Sequence, residues 1–163
     1  MKMYLLRKVQ DNDVDLLKDW LQQDYVAEWF GNVEDWLLEI RERDGEYNFI
    51  QHFIVEDNQI PIGFVQYYDY NKITLEDGET KQPSGTYGID YMLGKRELLG
   101  QGIGKILVKL ICDKVIEDHP EETRLAADPT IEETRKNEAS IRVLEINDFR
   151  FDESSELYIR DVY

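Results

Sequence analysis

The sequence predicts an α/β fold in which one mixed sheet is flanked by helices, and three observations predict it. Patterns of period two and of period three to four alternate along the chain, as strands interleaved with helices do. Two β-prone runs, 47–56 and 60–70, are separated by Asp57, Asn58 and Gln59, which reads as a hairpin. A further strand-like run, 86–94, leads through a glycine turn into a helix, because Ile103, Ile106, Leu107, Leu110 and Ile111 recur at helical spacing. The 163 residues suit one domain, expected over 1–163, and a hydrophobic content of 42% is enough to fill its core.

Taken in order, residues 4–9 alternate as a first strand. Asp11, Asn12 and Asp13 are N-cap candidates for a helix whose apolar face is Val14, Leu16, Leu17, Trp20 and Leu21. Residues 22–24 interrupt it, and the run from Tyr25 stops at Gly31. A helix is expected over 33–43 on a stripe of Trp36, Leu37 and Ile40, closed by the turn at Asp44 and Gly45. After the hairpin, 71–85 is polar, holds Pro83 and Gly85, and is a loop long enough to be functional or mobile. In strand 86–94, Gly88 marks a bulge or a point of close approach. The following helix ends near Asp118, His119 and Pro120. Residues 123–127 form a short strand stopped by Asp128 and Pro129, a helix is expected over 134–146, and 149–151 and 157–163 close the sheet.

Charge narrows the partners. Nineteen basic against thirty-five acidic side chains give a formal net charge of −16, which repels nucleic acid and anionic membrane and draws in cations. Solubility alone accounts for such a surface; a polycationic substrate accounts for it too. Local positive charge for an anionic ligand is available from Lys105 and Lys109, one turn apart, and from Arg135, Lys136 and Arg142 on the later helix. No apolar run is long enough for a membrane span and the mixed N-terminus lacks a signal-peptide pattern, so a cytoplasmic protein is expected, monomer or homodimer. The lone Cys112 has no disulfide partner and reads as a core residue, and the two histidines, His52 and His119, lack metal-ligand spacing, so no metal is expected.

Strand, glycine turn and helix N-terminus together are an arrangement that holds phosphate. Glycines let main-chain N–H groups approach, and the helix dipole favours negative charge. A P-loop is excluded, because Leu99 and Ile106 stand where it needs Gly and Ser or Thr. A dinucleotide fingerprint is excluded as well, because its third glycine falls on Lys105 or Leu107 in the two available registers.

What remains, the Gly-x-Gly run within 99–104, resembles the pyrophosphate loop of the GNAT (Gcn5-related) N-acetyltransferases, in which Gln or Arg is commoner at the position of Leu99. The order of elements along the chain is similar to the GNAT plan, a central mixed, mostly antiparallel sheet flanked by helices. Blocks at 15–21, 26–31, 61–67, 87–91, 127–129 and 137–149 resemble, in order and spacing, the aminoglycoside 6'-N-acetyltransferases. The resemblance implies acetyl-CoA as co-substrate and acetyl transfer to a primary amine of a cationic, aminoglycoside-like small molecule, with antibiotic resistance as its biological sense.

Acyl transfer to an ammonium requires a base for its proton. Asp90 matches the family aspartate in that role; an ordinary carboxylate would bind the ammonium and pass the proton to water, unless burial raises its pKa. Donors for the acyl oxygen are implied from the backbone around 91–93. The resemblance places coenzyme A against Met92, Leu93, Leu99, Gly100, Gln101, Gly102, Ile103, Gly104, Lys105 and Asn137, the last of which also reads as a helix cap. It places the acceptor against Trp29, Asp90, Tyr91 and Asp128. Asp128 reads equally as a turn former with Pro129, and Trp29, with Phe30, equally as core. One position departs from the pattern. Where the family often carries a tyrosine that protonates the leaving thiolate stands Leu144, so the acid is absent, replaced by another group such as Tyr91 or water, or not needed. Other amines (polyamines, a siderophore-precursor lysine, a protein amine) remain alternative acceptors, and an acyl-CoA-binding module without turnover is the alternative from another class.

Overall fold

The computed structural model describes residues 2–73, 81–121, 123–132 and 135–162. Strand β1 (Tyr4–Lys8) is followed by helices α1 (Val14–Leu21), α2 (Asp24–Phe30) and α3 (Val33–Arg41), then by strands β2 (Ile50–Asp57), β3 (Ile60–Asp69) and β4 (Thr86–Leu93). Helix α4 (Ile103–Asp118) crosses over to β5 (Arg124–Ala127), and α5 (Glu138–Ile146) precedes β6 (Arg150–Asp152) and β7 (Leu157–Asp161). The strands form one sheet in the order β1-β2-β3-β4-β5-β7-β6. Every pairing is antiparallel except β4 with β5. A parallel neighbour needs a crossover, and α4 supplies it.

Period-two patterning sends alternate residues of the central strands to two different cores. Ile54, Phe64 and Met92 pack beneath α1–α3 with Leu17, Trp20, Leu21, Val26, Leu37 and Ile40. Phe53, Val55, Val65, Tyr67 and Ile89 pack against α4 through Leu107, Val108, Ile111, Cys112 and Val115, joined by Leu144 and Phe149. Each large apolar side chain buried in these layers contributes about 1.5–3 kcal/mol of transfer free energy. Asp90 lies two residues before Met92 and shares the face beneath α1–α3; Tyr91 lies on the other, packed against the α4 layer. Two adjacent residues therefore work on opposite sides of one strand.

The hairpin at 57–60 forms as expected: Asn58 and Gln59 have φ of 50° and 72°, the doubly left-handed turn that matches strand twist. Several boundaries move. The strand expected from 47 begins at Ile50, because Tyr47 and Asn48 are drawn into turns in which their N–H groups donate to Glu42 and Gly45 carbonyls. Helix α3 ends at Arg41 rather than 43. Gly88 is a close approach, not a bulge: a Cβ there would lie 2.4 Å from the Tyr68 ring. The bulge of this sheet falls instead between Val55 and Glu56. The helix expected from 134 starts at Glu138, because Ile131 bridges Lys136 and the Asn137 side chain caps the helix by accepting from Ser140 N at 3.2 Å. Arg135 and Lys136 therefore precede the helix, and only Arg142 rides on it. Residue 134 and the middle of the expected loop, 74–80, lie outside the described residues.

Candidate active site

The site originates where two strands part. Pairing of β4 with β5 stops at Gly88 and Ala126, yet β4 runs on to Leu93. One edge of 89–93 is thereby turned toward a cavity of about 340 Å³, bounded by β4, the end of β5, α2, α4 and α5. Two side-chain bonds hold this end of β4. Tyr25 Oη donates to the Leu93 carbonyl at 2.6 Å, and Gln23 Nε2 donates to that of Gly94 at 2.8 Å.

Asp90 opens on the cavity from the α1–α3 face, and Gln66, its register partner on β3, donates Nε2 to Asp90 Oδ2 at 2.8 Å. Burial raises the Asp90 carboxyl to about 6, against the Gln66 bond, and the charge of Asp128 adds to the rise. Glu39, on α3, is pushed up to about 7 by burial and then by the fields of Asp90 and Asp35. Burial drives the Tyr68 phenol well above its ordinary value, with Asp90, Asp128 and Glu39 among the charges acting on it. Acidic groups crowded this way favour a cation in their midst.

The expected acceptor residues converge. Trp29, Asp90, Tyr91 and Asp128 all line the cavity, the last at its exposed rim after β5. The Phe30 and Trp36 rings pack tilted by 38° with centroids 4.8 Å apart, and Trp36 Nε1 donates to the Phe30 carbonyl. Trp29 carries the Arg135 guanidinium 4.8 Å over its ring, and Arg135 also donates to the Glu28 carbonyl.

The glycine loop contributes to the same cavity through Leu99 and Gly104. Gly100 and Gly102 both have φ of +77°, a conformation that disfavours any side chain, and Gly102 caps α4. Met92, Leu93, Leu99, Gly104 and Asn137 line the cavity, while Gly100, Gln101, Gly102 and Lys105 are not part of its lining. The Ile103 side chain is the one of this group that turns away, into the core. Lys109 is engaged by Asp113 at 2.5 Å, which leaves Lys105 as the nearer cation.

On α5 the cavity wall is Ala139, Ser140 and Val143. Leu144 is fully buried and belongs to the core, so the expected tyrosine position does not present a side chain to the cavity. Tyr91 does: its hydroxyl is hydrogen-bonded to the hydroxyl of Ser140, another lining residue. Among the other reactive groups, burial pushes the Cys112 thiol up to about 12, which suits an inert core residue. His52 is buried and lowered to about 4 by burial, and His119 stacks on Tyr87 at 4.4 Å. Gln66, Glu39 and Ser140 escaped the sequence reading. Gln66 alone left a signal, a polar residue in an apolar strand; Glu39 and Ser140 are distant in sequence from Asp90 and look like ordinary helix-surface residues.

Comparison with known proteins shows the family and the fold. A family model described as an acetyltransferase (GNAT) domain matches residues 9–157. Aminoglycoside N(6')-acetyltransferases type 1 of Klebsiella pneumoniae and Serratia marcescens are 30% identical over 133 residues, covering 77% of this chain. The match spans 65% of those relatives' own length. In structure, the aminoglycoside acetyltransferase AAC(6')-Ib in complex with coenzyme A superimposes with a TM-score of 0.77 at 24% identity, over 98% of this chain and 95% of that one. An uncharacterized protein from Bacillus halodurans superimposes with a TM-score of 0.80 at 19% identity, over 98% and 84%. These superpositions establish the fold.

Proposed function

This chain belongs to the GNAT acetyltransferase family, and on that premise we propose that it moves the acetyl group of acetyl-CoA to a primary amine of a cationic, aminoglycoside-like small molecule. The observation that carries the proposal is the parting of β4 from β5, beside which opens a cavity lined by Asp90 and by Leu99 and Gly104 of the glycine loop. The residues present fit coenzyme A. Positive-φ glycines and the N-terminus of α4 offer N–H groups to phosphates, the free edge of 89–93 offers main-chain partners to a pantetheine arm, and Asn137 borders the same path. Acetyl-CoA, when bound, supplies an activated thioester.

The chain's own groups do the rest. Asp128 adds negative potential that holds a polycation, Glu39 behind the lining adds to it as it ionises above about pH 7, and Trp29 supplies a flat wall for a sugar ring. Asp90, with a carboxyl near 6, is ionised at neutral pH and is a stronger base than an ordinary carboxylate. It orients the ammonium and takes its proton. Main-chain N–H groups around 91–93 face the acyl oxygen. The chain works as one domain, in the cytoplasm, as monomer or homodimer and without nucleic acid, membrane or metal; with an aminoglycoside as acceptor, resistance follows.

One observation favours a second reading, an acyl-CoA-binding module without turnover: Leu144 buries the usual acid position. Thiol release from acetyl-CoA, followed with aminoglycosides, polyamines and lysine compounds as acceptors, separates the two. The proposal expects release with 6'-amino aminoglycosides. Release only with another amine discards the acceptor, and acetyl-CoA binding with silence across the panel favours the module.

A further inference from the structure

An amine that displaces a thiolate needs help at two places, the attacking nitrogen and the departing sulfur. Asp90 serves the first. For the second, Leu144 is apolar and buried in the core. The cavity nevertheless holds a hydroxyl pair. Tyr91 Oη and Ser140 Oγ are hydrogen-bonded, and both residues line the cavity. Their position is the informative part. Tyr91 follows Asp90 directly but projects to the opposite face of β4. Ser140 lies one turn before Val143, which stands against Gly104 of the α4 N-terminus: a Cβ on Gly104 would be 3.4 Å from the Val143 side chain. The pair therefore shares one cavity with Asp90 and with Leu99 and Gly104 of the glycine loop, the groups an acyl donor has to reach across.

We infer that Tyr91, oriented by Ser140, donates a hydrogen bond to the departing thiolate and is a catalytic residue of the acetyl transfer proposed above, on which this assignment rests. Either hydroxyl of the pair can donate, and the Ser140 carbonyl stands 3.5 Å from Tyr91 Oη; with Ser140 donating, the phenol's proton exchanges that long contact for the sulfur. The amine lone pair forms the C–N bond, the C–S pair leaves with sulfur, the amine's proton goes to Asp90, and the thiolate takes a proton from water on release. The phenol keeps its proton throughout. Burial drives its pKa well above the ordinary 10, so full transfer to a thiolate, whose thiol titrates near about 8.5, is uphill, whereas donation of a hydrogen bond is not.

The test uses Tyr91→Phe and two readouts, with coenzyme A and acetyl-CoA as the probes. Thiolate ultraviolet absorbance of coenzyme A bound to the native protein should show its thiol titrating about one pH unit below that of free coenzyme A. In Tyr91→Phe that depression should vanish with affinity for coenzyme A unchanged. With acetyl-CoA and an amine acceptor, kcat should fall about tenfold to a hundredfold in Tyr91→Phe, with KM for acetyl-CoA within about twofold and Ser140→Ala between the two. Native-like titration and native-like kcat in Tyr91→Phe overturn the assignment. A depressed thiol pKa that depends on Tyr91, without transfer to any amine by the native chain, upholds the contact and overturns the proposed function instead.

Discussion

Replacing Gln66 by Leu perturbs the Asp90 carboxylate without touching the cavity wall. Gln66 is buried, does not line the cavity, and gives its Nε2 to Asp90 Oδ2 at 2.8 Å. Only the ionised form of Asp90 accepts a proton, so kcat/KM is present above the Asp90 pKa and lost as pH falls through about 6. A hydrogen bond to a charged group contributes about 1.5–3 kcal/mol, and one pH unit corresponds to about 1.4 kcal/mol. Removing the donor therefore moves the acid limb up by about one to two pH units, to between about 7 and 8. Asp128→Asn provides the opposite sign, because the Asp128 charge raises Asp90 and its loss moves the limb down. The assay is thiol release against pH from 5 to 9 at limiting acceptor, with thermal melts to confirm that both variants are folded. An acid limb that stays near 6 in Gln66→Leu, or moves down, refutes the reasoning.

Two further outcomes follow from the same structure. Asp90 is raised on folding, so its ionisation opposes stability: the penalty is absent below the unfolded value of about 3.9, grows through about 6 and is complete above it. Asp90→Asn should then be more stable than the native chain by about 1–3 kcal/mol at pH 7.5 and indistinguishable at pH 4 in urea unfolding; equal stability at pH 7.5 contradicts this. Leu144→Tyr overpacks a fully buried site and should cost about 1–3 kcal/mol in stability with no gain in kcat, read from melts and turnover, and a faster enzyme with an unchanged melt counts against the placement.

Much of this arrangement was legible in sequence because it is local. The glycine run and the strand before it carry their geometry in consecutive residues, and Asp90, Tyr91 and Met92 inherit their faces from period two alone. Tertiary context decided the rest. Gly88 is required by the Tyr68 ring from a neighbouring strand, not by its own strand's shape. The start of α5 was set by a bridge between Ile131 and Lys136 and by the Asn137 cap, although helix-forming residues precede them. Asn137 caps the helix, the reading its sequence position also offered, and borders the cavity as well. The raised carboxylates at Asp90 and Glu39 arise from burial and from mutual charge between β4 and α3, which no local pattern records.

The central claim is that acetyl transfer passes through Asp90. The most direct measurement is thiol release from acetyl-CoA with a 6'-amino aminoglycoside, comparing the native chain with Asp90→Asn at pH 7.5 alongside coenzyme A affinity. The account predicts turnover by the native chain and a loss of at least about a hundredfold in the variant, with coenzyme A binding nearly unchanged. Full activity in Asp90→Asn contradicts it.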